Sequence, residues 1–104
     1  MPTFADPFLG NIDRKMTDRE LAQAIRIDIA GELEAIFLYD AHANATDNVL
    51  ARAVLQDIRD EEKTHMGELI TLMRHLDKGE YELFENGADE VKELIEELKK
   101  EGKL

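Results

Sequence analysis

Apolar residues recur at helical spacing over two long segments of the chain. The first segment opens with Thr17-Asp18-Arg19-Glu20, where the Thr17 hydroxyl can accept a backbone N–H while the Glu20 side chain reaches back. This capping box predicts a helix that continues to about Ala43. Asn44 is predicted to end that helix in a left-handed conformation.

The second segment begins at Thr46 or Asp47, either of which is a suitable N-cap, and continues to about Leu76. Both predicted helices span roughly 27 to 30 residues, or about 40 to 45 Å. Because only a short turn joins them, residues 17–76 are predicted to form an antiparallel two-helix hairpin.

The two ends of the chain differ from this pattern. Residues 1–16 contain both prolines and show no period, which predicts a flexible N-terminal arm. Residues 77–104 are predicted to be a connector, over 77–87, followed by a short amphipathic helix that Gly102 ends. The apolar residues of this third helix are Val91, Leu94, Ile95 and Leu98.

A two-helix hairpin has too little interior to bury its own apolar residues. The sequence therefore predicts an all-α subunit that dimerises into a four-helix bundle. Between Ile29 and Tyr39 the apolar residues surround the first helix, with Leu33 and Phe37 on one flank and Leu38 on another. One dimer contact would not cover that surface, so a larger assembly is expected.

Composition narrows the possible functions. The 104 residues are 43% hydrophobic and 36% charged, and the formal net charge of −11 disfavours nucleic acids and anionic membranes as partners. No segment is predicted to span a membrane or to act as a secretory signal. The absence of cysteine excludes disulfides and thiolate metal ligands, and it fits a reducing compartment.

Three polar residues interrupt the apolar stripes at positions that suggest chemistry. Glu62 and His65 project from one face of the second helix, and Glu32 lies on the apolar arc of the first. A carboxylate or an imidazole in apolar surroundings is costly unless something compensates it. One Glu on one helix and Glu-x-x-His on the next form half of a carboxylate-bridged dinuclear metal site.

Two-fold symmetry would bring two copies of this half-set together. Four carboxylates would then balance two divalent cations, and carboxylate and imidazole ligands without thiolate suit iron or manganese and tolerate zinc. The alternative is that Glu62 and His65 form a metal-free, hydrogen-bonded pair on the helix surface.

Other polar residues near these positions have a structural and a chemical interpretation. Tyr39 lies on the arc of the first-helix glutamate, where its phenol could bond a metal ligand, carry an electron or simply fill the core. Glu61 is a second inward carboxylate or a surface residue. Glu34 points almost opposite the ligand arc, and His42 and His75 are expected on the surface.

The segments GELEAIFLYDAHANATDN and DEEKTHMGEL resemble the encapsulated ferritins, two-helix ferritin-like proteins housed inside encapsulin nanocompartments. The resemblance covers residues 17–98. It implies a ferritin-like fold and a ferroxidase whose di-iron centre, with two irons per dimer, forms across a subunit interface. It also implies that dimers assemble into a decameric ring inside an encapsulin shell in the cytoplasm.

Carried over residue by residue, the resemblance makes Glu32, Glu62 and His65 the iron ligands and places Tyr39 close to them. Fe(II) and dioxygen would be the substrates, and Fe(III) would pass to the shell lumen for storage. Calcium, manganese or zinc would be substitutes or secondary-site ions.

The chain departs from the family pattern at Gly31, where a carboxylate is common, and at Leu38, where an aromatic is common. With Gly31, the secondary, entry-type metal site that the resemblance implies is either reduced to Glu34 alone or weakened. The chain also ends in KKEGKL, which does not resemble an encapsulin-docking peptide.

Two other functions remain open from the sequence. One is a rubrerythrin-like or manganese di-metal oxidoreductase. The other is a metal-free helical module that assembles with itself or adapts a shell protein.

Overall fold

The computed structural model describes residues 12–104, which form three helices and no strand. Helix α1 spans Asp18–Asn44, α2 spans Val49–Leu76 and α3 spans Lys78–Lys100. This confirms the all-α class and the long two-helix hairpin. Residues 1–11 of the predicted N-terminal arm lie outside the described residues, and 12–17 precede α1 without helical structure.

The predicted capping box begins α1. The Thr17 hydroxyl accepts the Glu20 N–H at 3.2 Å, and the Glu20 carboxylate accepts the Thr17 N–H at 3.1 Å. The hydrogen bond from the Arg14 guanidinium, followed by that from the Thr17 N–H, lowers the pKa of Glu20 from 4.5 to about 2. The start of α1 is therefore fixed by side chains near in sequence.

The turn between α1 and α2 differs from the prediction. Asn44 is the last helical residue and is not left-handed, and the C-cap is Ala45 with φ −97°. Neither Thr46 nor Asp47 caps α2, because the Asn48 side chain takes that role and accepts a first-turn N–H at 2.9 Å. The Thr46 hydroxyl instead accepts the Asn48 N–H, which holds the tight turn.

The interior of the hairpin is small. At the end away from the turn, Ala22 and Ile25 of α1 pack on Met73 of α2, with partly buried neighbours Leu21, Ile29, Leu69, Leu76 and Phe84. Near the turn, Arg59 donates to Asp40 across the two helices at 2.6 Å. Many large apolar side chains remain exposed outside this core, as the sequence predicts for a subunit that is not complete alone.

The predicted third helix is confirmed, but the predicted connector over 77–87 was wrong, because that helix begins at Lys78 and is longer than predicted. Asp77 alone separates α2 from α3, and its carboxylate accepts the Glu80 N–H at 3.2 Å as the N-cap of α3. The two glycines that suggested a connector are helical, at a cost of about 1 kcal/mol each relative to alanine. Contacts of the first turns of α3 with the hairpin offset that cost.

Helix α3 is anchored to the hairpin only by its first two turns. Glu80 accepts from Arg26 of α1 at 2.5 Å, and the Arg74 guanidinium of α2 lies 5.0 Å from the ring centre of Phe84 and 6.0 Å from that of Tyr81. The described chain measures 47 × 46 × 18 Å, so α3 leaves the hairpin at a steep angle. Among the described residues, no helix is both long and apolar enough to cross a membrane.

We expect Thr17→Ala to lower the free energy of unfolding of the metal-free chain by about 1 kcal/mol, because the Glu20 N–H loses its acceptor. Thermal denaturation followed by circular dichroism in chelator measures the change. Thr64→Ala is the matched control, since Thr64 is an exposed mid-helix residue and alanine is the better helix former. Equal losses in both variants would contradict the role of the cap.

Candidate metal centre

Glu32, Glu62 and His65, the three residues predicted as ligands, lie together at the middle of the hairpin. The His65 Nδ1 is 3.8 Å from the Glu32 Oε2 and 3.6 Å from the Glu62 Oε2. One donor atom from each residue lies within 4.8 Å of the other two. The two helices thus bring together one imidazole nitrogen and two carboxylate oxygens, which we call the donor set.

The antiparallel register explains this meeting. Glu32 lies about 13 residues before Ala45, and Glu62 lies about 14 residues after Asn48, so both are roughly 20 Å from the turn. His65 follows Glu62 by three residues and therefore projects from a neighbouring part of the same helix face. The Arg59–Asp40 pair lies closer to the loop, about one turn from Glu62 on α2 and two turns from Glu32 on α1, and it ties the helices in this register. No sequence signal identifies that pair before the register is known.

The environment of Glu32 makes its charge costly. The side chains of Glu32 and Glu62 are largely shielded from solvent, whereas that of His65 is 50% exposed. The Glu32 Oε2 is buried and accepts no hydrogen bond from any described residue. A buried carboxylate oxygen without a partner is unfavourable, and a nearby cation is the usual compensation.

The distances suit a shared cation better than a hydrogen-bonded pair. Both histidine–carboxylate distances exceed the range of about 2.7 to 3.2 Å for an N–H···O hydrogen bond. Ligand bonds of about 2.1 Å allow two donor atoms on one metal to lie roughly 3.0 to 4.2 Å apart. Carboxylate oxygen and imidazole nitrogen are donors that iron and manganese accept.

The donor set opens onto one side of the hairpin, which we call the metal face. At 100° per residue, Leu50, Val54 and Leu72 lie within about 60° of His65 around α2, and all three are exposed. Exposed apolar side chains therefore lie on the same face of α2 as the half-exposed histidine, before and after it along the helix.

The other residues singled out from the sequence do not join this cluster. Tyr39 is partly buried two turns from Glu32, and Glu34 lies about 160° around α1 from it. Glu61 is exposed, as are His42 and His75, and Gly31 is buried. Within the part of the chain that the structure describes, Glu32, Glu62 and His65 are the one group of three potential metal ligands.

A family model described as "Ubiquinone biosynthesis protein COQ7" matches residues 19–78, which include both hairpin helices. This match agrees with a ferritin-like helical fold. It ends where α3 begins, so it covers the part of the chain that contains the donor set.

Relatives and a solved structure match more of the chain. It is 42% identical over 107 residues to encapsulin nanocompartment cargo protein EncC of Myxococcus xanthus, covering 93% of this chain and 81% of that protein. It is 38% identical to a ferritin-like–encapsulin shell fusion protein of Pyrococcus furiosus, covering 86% of this chain and 26% of the fusion. The crystal structure of an encapsulated ferritin domain from Pyrococcus furiosus superposes with a TM-score of 0.76 at 38% identity, covering 86% of this chain and 91% of that one.

We expect Glu32→Gln to leave the metal-free chain at least as stable as the original, because the substitution removes a buried charge that has no hydrogen-bond partner. The same change is expected to weaken binding of a divalent cation at least about tenfold. Thermal denaturation in chelator and calorimetric titration with Mn(II) measure the two effects.

Glu61→Gln is the matched control, since Glu61 is exposed one residue before Glu62 and lies outside the donor set. Loss of metal-free stability in Glu32→Gln with unchanged cation affinity would mean that the carboxylate has a structural role only.

Proposed function

The chain belongs to the encapsulated ferritins, the ferritin-like cargo proteins of encapsulin nanocompartments, and we propose that it is a ferroxidase that oxidises Fe(II) to Fe(III) with dioxygen. The main support is the convergence of Glu32, Glu62 and His65 around a buried carboxylate oxygen that has no hydrogen-bond partner among the described residues. These donors fit iron, the substrate of the proposed reaction.

In the proposal, two chains pair across their metal faces to complete the site. A two-fold axis beside His65 brings two copies of the donor set together, so that four carboxylates balance two Fe(II) ions. The same contact covers Leu50, Val54 and Leu72, whose burial stabilises the pair. Residues 12–104 of a single chain offer one group of three donor residues, so the proposed reaction requires the dimer.

The donor chemistry favours the proposed direction of electron transfer. Anionic carboxylate oxygens are hard ligands that stabilise Fe(III) more than Fe(II), which makes each iron easier to oxidise. Two Fe(II) ions bound by these residues would each give one electron to dioxygen, which would take up two protons from solvent and leave as hydrogen peroxide, with two Fe(III) ions as the other product. Tyr39, two turns along α1 from Glu32, is proposed to lie close to the pair and to assist this transfer.

The wider setting is proposed from the relatives. Proteins named as encapsulin cargo or as an encapsulin fusion support an encapsulin shell as the partner and its lumen as the destination of Fe(III). We propose a decameric ring of dimers as the working assembly. With Gly31 buried and without a side chain, Glu34 is proposed as the remaining carboxylate of an entry site, where calcium, manganese or zinc can replace iron.

We expect Glu32→Ala and His65→Ala each to lower the initial rate of Fe(II)-dependent oxygen uptake at least about 100-fold, because each removes a ligand from both irons. An oxygen electrode measures the rate, and circular dichroism verifies that the helices remain. Glu61→Ala is the matched control and is expected to keep the original rate.

Unchanged oxygen uptake in the two ligand variants would contradict a ferroxidase at this site. Peroxide turnover with manganese bound in preference to iron would instead favour a manganese or rubrerythrin-like oxidoreductase.

We expect Fe(II) to convert chelator-treated protein from monomers to dimers and multiples of dimers that carry two irons per pair. Without cations the four carboxylates repel one another across the metal face, and bound metal reverses that repulsion. Native mass spectrometry under anaerobic conditions reports mass and metal content together. An unchanged mass distribution without bound iron would favour the metal-free assembly module.

A further inference from the structure

Arg59 is the least exposed basic residue of the two hairpin helices. Its side chain is 21% exposed, against 32% for that of Arg74, and the other lysine and arginine residues of α1 and α2 lie in more exposed positions. A positive charge that is largely shielded from water needs a carboxylate beside it. Which carboxylate Arg59 takes therefore affects the charge balance in the interior of the hairpin.

Two aspartates hold the Arg59 guanidinium. Its Nη1 donates to the Asp40 carboxylate on the other helix at 2.6 Å, and its Nε donates to the Asp60 carboxylate at 3.1 Å. These hydrogen bonds, that with Asp40 first, raise the pKa of Arg59 above its usual value. Asp60 is the weaker anchor, because its side chain is 62% exposed to water. The contact with Asp40 therefore directs the guanidinium towards α1.

A third carboxylate, that of Glu62, is within reach of Arg59. Glu62 follows Arg59 by three residues, a spacing at which arginine and glutamate form ion pairs along one helix. The Glu62 side chain is 19% exposed, so its attraction for a neighbouring guanidinium is only partly screened by water. Among the residues that the structure describes, Arg59 nevertheless pairs with Asp40 and Asp60 and not with Glu62.

The position of the guanidinium matters because Glu62 belongs to the donor set. A guanidinium bound to Glu62 would occupy the carboxylate oxygens that a metal ion uses and would repel a divalent cation. Lys63 is less able to do this, since it is exposed and neighbouring residues on a helix do not face each other. Arg59 is thus the basic residue of α2 best placed to compete with a metal for Glu62.

We propose that Asp40 is a positioning residue for the donor set, which holds Arg59 away from Glu62 and leaves that carboxylate free to bind a divalent cation. This inference rests on cation binding by the donor set, as the proposed function does, but not on iron oxidation. It differs from a purely mechanical tie between the helices. A mechanical tie is lost when either partner is changed, whereas a restraint on Arg59 is needed only while the guanidinium is present.

Three variants of the full-length chain separate these roles. Asp40→Asn keeps the size of the side chain and a hydrogen-bond acceptor but removes the charge that holds Arg59. Arg59→Gln removes the guanidinium, and the double variant removes both. Calorimetric titration with Mn(II) measures cation affinity, and circular dichroism with thermal denaturation in chelator verifies folding.

Asp47→Asn is the matched control for the loss of one acidic residue. Asp47 also pairs with an arginine, Arg52, at 3.8 Å, but that pair lies at the turn. Arg52 precedes Glu62 by ten residues, or about 15 Å along α2, so its release cannot reach the donor set. This variant is therefore expected to bind Mn(II) as the original chain does.

We expect Asp40→Asn to weaken Mn(II) binding at least about tenfold when Arg59 is present, and less than about twofold in the Arg59→Gln background. Arg59→Gln alone is expected to bind Mn(II) more tightly than Asp40→Asn, and the double variant is expected to match Arg59→Gln.

Three results would overturn the restraint while leaving the metal site in place. They are unchanged affinity in Asp40→Asn, equal losses in all three variants, which indicate a mechanical tie, and an equal cost of Asp40→Asn in both backgrounds, which indicates a general effect of charge. Failure of the original chain to bind Mn(II) would overturn the donor set as a metal site and the restraint with it.

Discussion

Two carboxylates and an imidazole held at the same height in a two-helix hairpin are the constraint on which the rest of this structure depends. Glu32 and Glu62 bring like charges into partly buried surroundings, and the Glu32 Oε2 has no hydrogen-bond partner among the described residues. A core of apolar residues at these positions would be easier to stabilise. A bound cation would compensate the negative charges of the two carboxylates. The stability of the fold and the proposed chemistry therefore depend on the same residues.

The small interior of the hairpin leaves apolar side chains available for contacts with partners. Its core is a short cluster around Ala22, Ile25 and Met73, and large apolar side chains are exposed on both outer sides. Exposed apolar area of this extent is typical of surfaces that bind partners. The proposed iron site uses one of these sides.

Errors in the sequence-based prediction occurred where local signals compete with tertiary contacts. The glycines within 77–87 indicated a connector, yet Asp77 caps a helix there because Glu80 and Phe84 gain contacts with the hairpin. In the turn, Asn44, Thr46 and Asp47 all have residue types that can end or begin a helix. Asn48 is the N-cap of α2 instead, because the length of the loop determines which side chain reaches the first free backbone N–H of that helix.

The sequence by itself determined the two long helices, the capping box at Thr17 and the residue types of the donor set, because these depend on spacing along one helix. Family resemblance added the expectation of iron chemistry. Only the tertiary structure decided that Glu32 lies within reach of Glu62 and His65, since this depends on the register of two helices across a turn. It also decided that α3 projects from the hairpin, because the direction of a helix after a one-residue break depends on contacts between residues that are distant in sequence.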